Sequence, residues 1–214
     1  MIKTVSLFFT LLLFSACSFK SPPNDWQYKS VAAFESYTKN FLSANDAMAK
    51  NDLSRAINHA KQGADLKILA NIHLAKCALN ISVGIKDECF EYQDISDIQN
   101  EKTTDAYFKF IQHKNDYDIN SLESQYKNFA AKLKVKDYDG ANEAILDISK
   151  PTSKLLAAAL MRGKISTKIR DEMIEVASFN GYKKSVLFWL NEKLIYTKDI
   201  NERENIIKKI EFLK

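Results

Sequence analysis

Apolar residues recur every three or four positions along most of the chain after residue 25. One clear set consists of Leu122, Tyr126, Phe129 and Leu133, which share one face of a helix. A face of this kind is the side of an amphipathic helix that packs against a core. No stretch convincingly alternates with the period of two that a half-buried β-strand requires. The pattern therefore predicts about ten helices and an all-α fold.

The breaks in this pattern carry the residues that usually begin and end helices. They fall at Asn51-Asp52, Gly63, Gly84, Tyr117-Asp118, Lys150-Pro151, Gly163, Asn180-Gly181 and Lys198-Asp199. Glycine commonly ends a helix, asparagine or aspartate begins one, and proline fits the first turn. The whole chain has only five glycines and three prolines. All-β and nucleotide-binding folds use glycine heavily in turns and phosphate loops, so this scarcity also favours helices.

Three of the breaks align with one another. The segments "KNDLSRAINHA" (50–60), "VKDYDGANEAI" (135–145) and "FNGYKKSVLFW" (179–189) match on Asp52-Leu53-x-x-Ala56, Asp137-Tyr138-x-x-Ala141 and Gly181-Tyr182-x-x-Ser185. This pattern resembles the turn between the two helices of a tetratricopeptide repeat. The resemblance implies an irregular α-solenoid of stacked helical hairpins. A plain helical bundle is the alternative.

The first residues differ from the rest of the chain. After Lys3, an apolar run of about 12 residues extends from Val5 to Ala16, whereas a membrane-spanning helix needs roughly 20. A short basic start, an apolar stretch and small residues at its end are typical of a secretory signal peptide. We therefore expect residues 1–16 to be removed on export.

The end of that run, Phe14-Ser15-Ala16-Cys17, resembles the lipobox of bacterial lipoproteins. The resemblance implies cleavage before Cys17 and acylation of that cysteine, which would anchor the protein in a bilayer. Because Ser18 is not acidic, it also implies the outer membrane, with the protein facing the periplasm. An ordinary signal peptide cut near Ala16 is the alternative. The predicted organisation is thus a signal peptide (1–16), a lipidated cysteine with a tether (17–25) and a helical repeat domain (26–214).

Two cysteines remain in the predicted domain. Cys77 and Cys89 lie on either side of Gly84, seven residues before it and five after it. If Gly84 occupies the turn of an antiparallel hairpin, the two thiols lie at similar heights on facing segments. An oxidising compartment favours a disulfide between them, and two buried free cysteines are the alternative.

The charge of the chain is modest but uneven. The formal net charge is +4, too small to indicate nucleic-acid binding. Residues 150–214 contain 14 Lys or Arg against 8 Asp or Glu. This excess is compatible with solvated helix faces, or with a basic half of the protein near an anionic membrane or an acidic partner.

The chain lacks the motifs of common catalytic and metal sites. Its three histidines form no His-Glu-x-x-His helix, and it has no Gly-x-Ser-x-Gly elbow. His73 and Cys77 are four residues apart, but this spacing matches no known zinc pattern. We therefore expect no cofactor, no metal and no catalytic centre. The predicted function is docking of an envelope protein by a scaffold anchored to the bilayer through Cys17. An envelope hydrolase and a carrier of a small apolar ligand are the alternatives.

Overall fold

The computed structural model describes residues 24–99 and 101–214, so the predicted signal peptide, Cys17 and most of the tether lie outside it. Within those residues the chain forms eleven α-helices, one short 3-10 turn at 119–121 and no strand. The helices are α1 (Asp25–Leu42), α2 (Asp46–Gln62), α3 (Leu66–Ser82), α4 (Phe90–Ser96), α5 (Lys102–Ile111), α6 (Ser124–Lys134), α7 (Tyr138–Leu146), α8 (Pro151–Leu160), α9 (Thr167–Phe179), α10 (Lys183–Tyr196) and α11 (Ile200–Leu213). The all-α prediction is confirmed. The first described helix begins at Asp25, next to the predicted start of the helical domain at residue 26.

Side-chain caps define where several helices begin. The Asp65 carboxylate accepts a hydrogen bond from the Ile68 amide at 2.9 Å, and Asp199 accepts one from the Glu202 amide at 2.7 Å. The first amides of a helix have no partner in their own helix, so such acceptors fix its start. Pro151 begins α8. Because proline has no amide hydrogen, it leaves no unpaired donor at the first position of the helix.

Six helix ends share one turn geometry. In each, a residue with positive φ follows the helix, and the amide of the next residue bonds to the carbonyl five positions before it. After α1 this bond joins Asn45 N to Asn40 O at 2.8 Å, and after α6 it joins Asp137 N to Lys132 O at 3.0 Å. The residues with positive φ are Ala44, Ala64, Gly84, His113, Lys136 and Gly181. This is the Schellman motif, which satisfies carbonyls at the end of a helix and reverses the chain.

The helices pack as hairpins around one main core and three smaller apolar clusters. Contacts are most extensive between α1 and α2, between α9 and α10, and between α6 and α7, while α3 packs across the chain on α8. An ideal solenoid has contacts only between successive repeats, so the α3–α8 packing makes this stack irregular. Trp189, Phe110 and Phe129 are fully buried in the main core.

The predicted break at Asn51-Asp52 is wrong. The helix α2 runs without interruption from Asp46 to Gln62, and the preceding turn lies at residues 43–45. The Asp52 carboxylate is buried inside this hairpin, where it accepts hydrogen bonds from Asn40 Nδ2 at 2.7 Å and from Arg55 Nη2 at 2.5 Å. Two donors thus satisfy a polar residue that the sequence alone assigns to a turn.

Candidate functional site

A large concavity lies between α3, α5, α6 and α8, and we call it the central cleft. It has a volume of about 780 Å³ and a wide opening. A narrower pocket of about 140 Å³ continues from it toward Phe34 and Thr38 on α1. The cleft is lined by Asn71, Leu74, Ala75, Thr103, Thr104, Tyr107, Asn120, Ser121, Leu122, Glu123, Gln125, Tyr126, Lys150, Thr152 and Ser153.

Most of the polar groups in the central cleft are uncharged. They are hydroxyls of serine, threonine and tyrosine, together with the side-chain amides of Asn71, Asn120 and Gln125. The charged pair Glu123 and Lys150 lies at the rim with 4.0 Å between its atoms, and both side chains are about two-thirds exposed. Such a lining suits a ligand with many hydrogen-bonding groups and little net charge.

Two tyrosines form the floor between the cleft and the core. The ring centroids of Tyr107 and Tyr126 are 5.8 Å apart. Burial raises the pKa of Tyr126 to about 12, and burial likewise raises the pKa of Tyr107 well above its ordinary value. Desolvation by burial is the largest cause of both shifts, and a hydrogen bond between the two hydroxyls raises the pKa of Tyr107 further and partly offsets the shift of Tyr126.

Three helices begin at the edge of the cleft without a side-chain cap. They are α5, α6 and α8, whose N-cap residues Glu101, Glu123 and Lys150 make no capping hydrogen bond. The amides in the first turn of a helix have no partner within that helix. Several first-turn residues line the cleft: Thr103, Thr104, Gln125, Thr152 and Ser153. The cleft thus borders backbone N–H donors as well as hydroxyls.

A second concavity lies beside the disulfide, and we call it the disulfide groove. It has a volume of about 490 Å³ and includes Ile85, Asp87, Gln112 and Arg162 in its wall. An adjoining pocket of about 350 Å³ reaches Phe188 on α10. The wall of this groove combines the half-exposed side chain of Ile85 with the charged residues Lys86, Glu88 and Arg162.

The predicted disulfide between Cys77 and Cys89 is confirmed. The two Cα atoms are 5.4 Å apart and Gly84 lies in the intervening turn with a φ of 78°. Gln112 Nε2 lies 3.1 Å from Cys89 Sγ and donates a hydrogen bond to the Asp87 carbonyl at 2.9 Å. The Asp87 carboxylate accepts hydrogen bonds from Asn80 Nδ2 and the Cys89 amide. Cys77, Asp87 and Cys89 lie close enough to resemble a metal cluster, but the disulfide leaves no thiolate to act as a ligand.

The second predicted repeat turn lies in a turn of the structure. Asp137 precedes α7 and its carboxylate accepts a hydrogen bond from the Gly140 amide at 3.0 Å. Tyr138 is the first residue of α7, and Ala141 is fully buried where α7 approaches its neighbours. These positions are those of the hairpin between α6 and α7.

The third predicted turn also joins two helices, whereas the first does not. Gly181 has a φ of 68° between α9 and α10, Tyr182 immediately precedes α10, and Ser185 is fully buried. In contrast, Asp52, Leu53 and Ala56 all lie in the middle of α2 and form no turn. The alignment of the first segment with the other two therefore has no counterpart in the fold.

Sequence reasoning did not identify the central cleft. Its residues come from distant segments of the chain, and serine, threonine and asparagine are ordinary at helix starts and on surfaces. The uncapped starts of α5, α6 and α8 gave a weak signal, since none has Ser, Thr, Asn or Asp at its N-cap. Their convergence depends on tertiary packing, which a single sequence does not reveal.

The chain matches no family model, no curated protein and no solved structure. Among the helices of residues 24–99 and 101–214, none has the length and apolar character needed to cross a bilayer.

Proposed function

We propose that the chain is a membrane-anchored lipoprotein of the bacterial envelope whose helical domain docks another protein in the central cleft. The anchor is the acylated Cys17, and the domain faces the periplasm from the outer membrane. This part of the proposal rests on the segment Phe14-Ser15-Ala16-Cys17, which lies outside the described residues.

The observation that carries the docking proposal is the composition of the central cleft. An extended peptide presents one N–H and one C=O per residue, and each of these needs a partner when it is buried. The cleft offers hydroxyls and side-chain amides that donate and accept, next to first-turn backbone amides that donate. Such a mixture suits the main chain of a peptide segment better than it suits a purely apolar ligand.

The two alternatives have less support. Sugar hydrolysis by paired acids requires two carboxyl groups that converge on one bond, whereas the lining of the central cleft includes one carboxylate, Glu123. A carrier of an apolar ligand requires an enclosed apolar cavity. The central cleft is open to solvent and carries many hydroxyls and amides, and large side chains such as Trp189 and Phe129 fill the core beneath the helices.

The anchor is tested by acyl labelling in cells. Cys17→Ala removes the sulfur that would be acylated, so incorporation of labelled palmitate into the protein is lost. The neighbouring substitution Ser18→Ala, which keeps this sulfur, retains the label. Equal labelling of the wild type and Cys17→Ala would contradict the anchor.

Docking is tested by filling the central cleft. Thr152→Trp places an indole in the cleft, and it is expected to reduce in-cell crosslinks to envelope proteins. Thr167→Trp makes the same change at an exposed helix start on α9, outside the cleft, and is the matched control. If the two variants retain the same crosslinks as the wild type, the cleft is not the docking site.

A further inference from the structure

Two phenylalanines project almost completely into solvent near the end of the domain. Phe179 is the last residue of α9 and Phe212 lies in the last turn of α11, and each is 93% exposed. Single exposed apolar residues are common on soluble proteins. Two whole phenyl rings at the same end of one helical layer are a different case, since neither contributes to the core.

The packing of the last three helices brings these rings to the same end. Lys193 on α10 bridges Asp171 of α9 at 2.8 Å and Glu202 of α11 at 2.9 Å, near the other end of all three helices. Arg203 donates a hydrogen bond to the Leu194 carbonyl at 2.6 Å, which fixes α11 antiparallel to α10. The end of α9, the start of α10 and the end of α11 therefore lie together. We call this end the aromatic tip. It consists of the two phenylalanines and the lysines around them: Phe179, Phe212, Lys183, Lys184, Lys208, Lys209 and Lys214.

The charge of the aromatic tip is mainly basic. Lys208 and Lys209 are exposed and lie four and three residues before Phe212, so they flank its ring on the helix surface. The ends of α9, α10 and α11 that form the tip carry Lys183, Lys184, Lys208, Lys209 and Lys214 against Glu175 and Glu211, and Asp46 lies close to Lys184. Asp46 is already paired with Lys184. The local excess is positive, in agreement with the basic composition of residues 150–214.

We propose that the aromatic tip binds the surface of an anionic lipid bilayer. Phenyl rings that insert at the boundary between headgroups and acyl chains leave water, and lysines beside them meet lipid phosphates. The two rings project outward and line neither the central cleft nor the disulfide groove. A projecting ring suits a deformable bilayer, whereas a protein partner would need a preformed pocket for each ring.

The position of the tip is compatible with an N-terminal anchor but does not depend on it. Lys184 lies 4.0 Å from the Phe41 ring, so the tip is near the end of α1 that is remote from Asn24. The 18 residues of α1 span roughly 27 Å. If Cys17 is acylated, contact at both places lays α1 along the membrane. If it is not, the tip still provides a separate membrane contact.

The experiment is vesicle co-sedimentation of residues 18–214, which lack Cys17 and the predicted signal peptide and keep every residue that the structure describes. The wild type is expected to bind vesicles of phosphatidylcholine with phosphatidylglycerol and to bind pure phosphatidylcholine weakly. Phe179→Ser and Phe212→Ser each remove one inserted ring and are expected to weaken binding about tenfold or more. Lys208→Glu with Lys209→Glu is expected to abolish the preference for anionic vesicles. Raised salt has the same effect on that preference.

The matched control is Phe90→Ser, which changes a phenylalanine that is 68% exposed at the start of α4. It is expected to bind anionic vesicles like the wild type. Because all three rings are exposed, circular dichroism should show the same helical content in every variant. The proposal is overturned if the wild type does not sediment with anionic vesicles, or if Phe90→Ser weakens binding as much as the two tip variants. Binding of the tip to an acidic polypeptide in place of vesicles would also overturn it.

Discussion

The Phe188 ring occupies the space that a side chain on Gly84 would need. A Cβ atom placed on Gly84 would lie 2.3 Å from Phe188 Cε2, and Gly84 also has a φ of 78°. Two independent constraints, backbone conformation and contact with α10, thus require glycine at the turn after α3. This contact joins the turn beside the disulfide to the C-terminal hairpin.

Gly84→Ala is therefore expected to be more destabilising than an ordinary glycine substitution. Alanine at positive φ costs about 1–2 kcal/mol, and the clash with Phe188 adds about 1–3 kcal/mol. Gly181→Ala is the matched control, because Gly181 has a φ of 68° but no atom within 4 Å of the added Cβ. Urea denaturation of both variants measures the difference. Equal losses would contradict the role of Phe188, and Phe188→Leu should reduce the excess loss in Gly84→Ala.

Reduction of the Cys77–Cys89 disulfide is expected to lower stability by about 3 kcal/mol, because the bond closes a short loop in the unfolded chain. The two cysteines are 12 positions apart in sequence. Denaturant midpoints with and without reductant give the effect. The double variant Cys77→Ala with Cys89→Ala should show no response to reductant. A wild type whose midpoint is unchanged on confirmed reduction would contradict the prediction.

Asp52 is expected to make the stability of the domain pH-dependent. The Asn40 amide, with a contribution from Arg55, holds the pKa of the Asp52 carboxyl below its usual range. A depressed pKa adds stability that is complete above the unfolded-state value, about 4, and is lost as the pH falls through the folded-state value. Asp52→Asn removes this contribution.

Urea midpoints measured from about pH 5 down to about pH 3 test this linkage. The wild type should lose more stability over that interval than Asp52→Asn. Asn40→Ala, which removes the strongest donor, should flatten the curve in the same direction. Parallel curves for all three proteins would show that the Asp52 carboxylate does not have a depressed pKa.

Lys136→Gly is expected to stabilise the hairpin of α6 and α7 by about 1 kcal/mol. Lys136 has a φ of 60° in its Schellman turn, a conformation in which glycine lacks the steric cost of a Cβ. Val135→Gly, one position earlier with a φ of −93°, should instead be neutral or destabilising. Thermal unfolding distinguishes the two, and destabilisation by both substitutions would contradict the prediction.

The sequence predicts the helices well but some turns poorly, for a physical reason. Gly181 and Asp137 identify their turns because glycine and a capping aspartate are common there. The turn between α1 and α2 instead places Ala44 at a φ of 65°, and alanine is no signal for that conformation. The polar pair Asn51-Asp52 gave a false signal, since Asn40 and Arg55 provide Asp52 with partners inside the hairpin.

The disulfide could be predicted from neighbouring residues, whereas the central cleft could not. Cys77 and Cys89 are near one another in sequence, so a local argument about the turn at Gly84 was sufficient to predict their pairing. The cleft brings together the starts of α5, α6 and α8, which are separated by long segments. Its residues acquire a common role only when α3 packs on α8, a contact that no local pattern indicates.

The central claim, that the central cleft docks an envelope protein, is tested most directly by site-specific photocrosslinking in cells. A photoreactive residue is introduced at Asn71 or Thr103 in the cleft, or at Glu143, an exposed position on α7 outside it. The account predicts that both cleft positions give an adduct with the same envelope protein and that the Glu143 position does not. Adducts of equal intensity from all three positions, or none from the cleft, would contradict it.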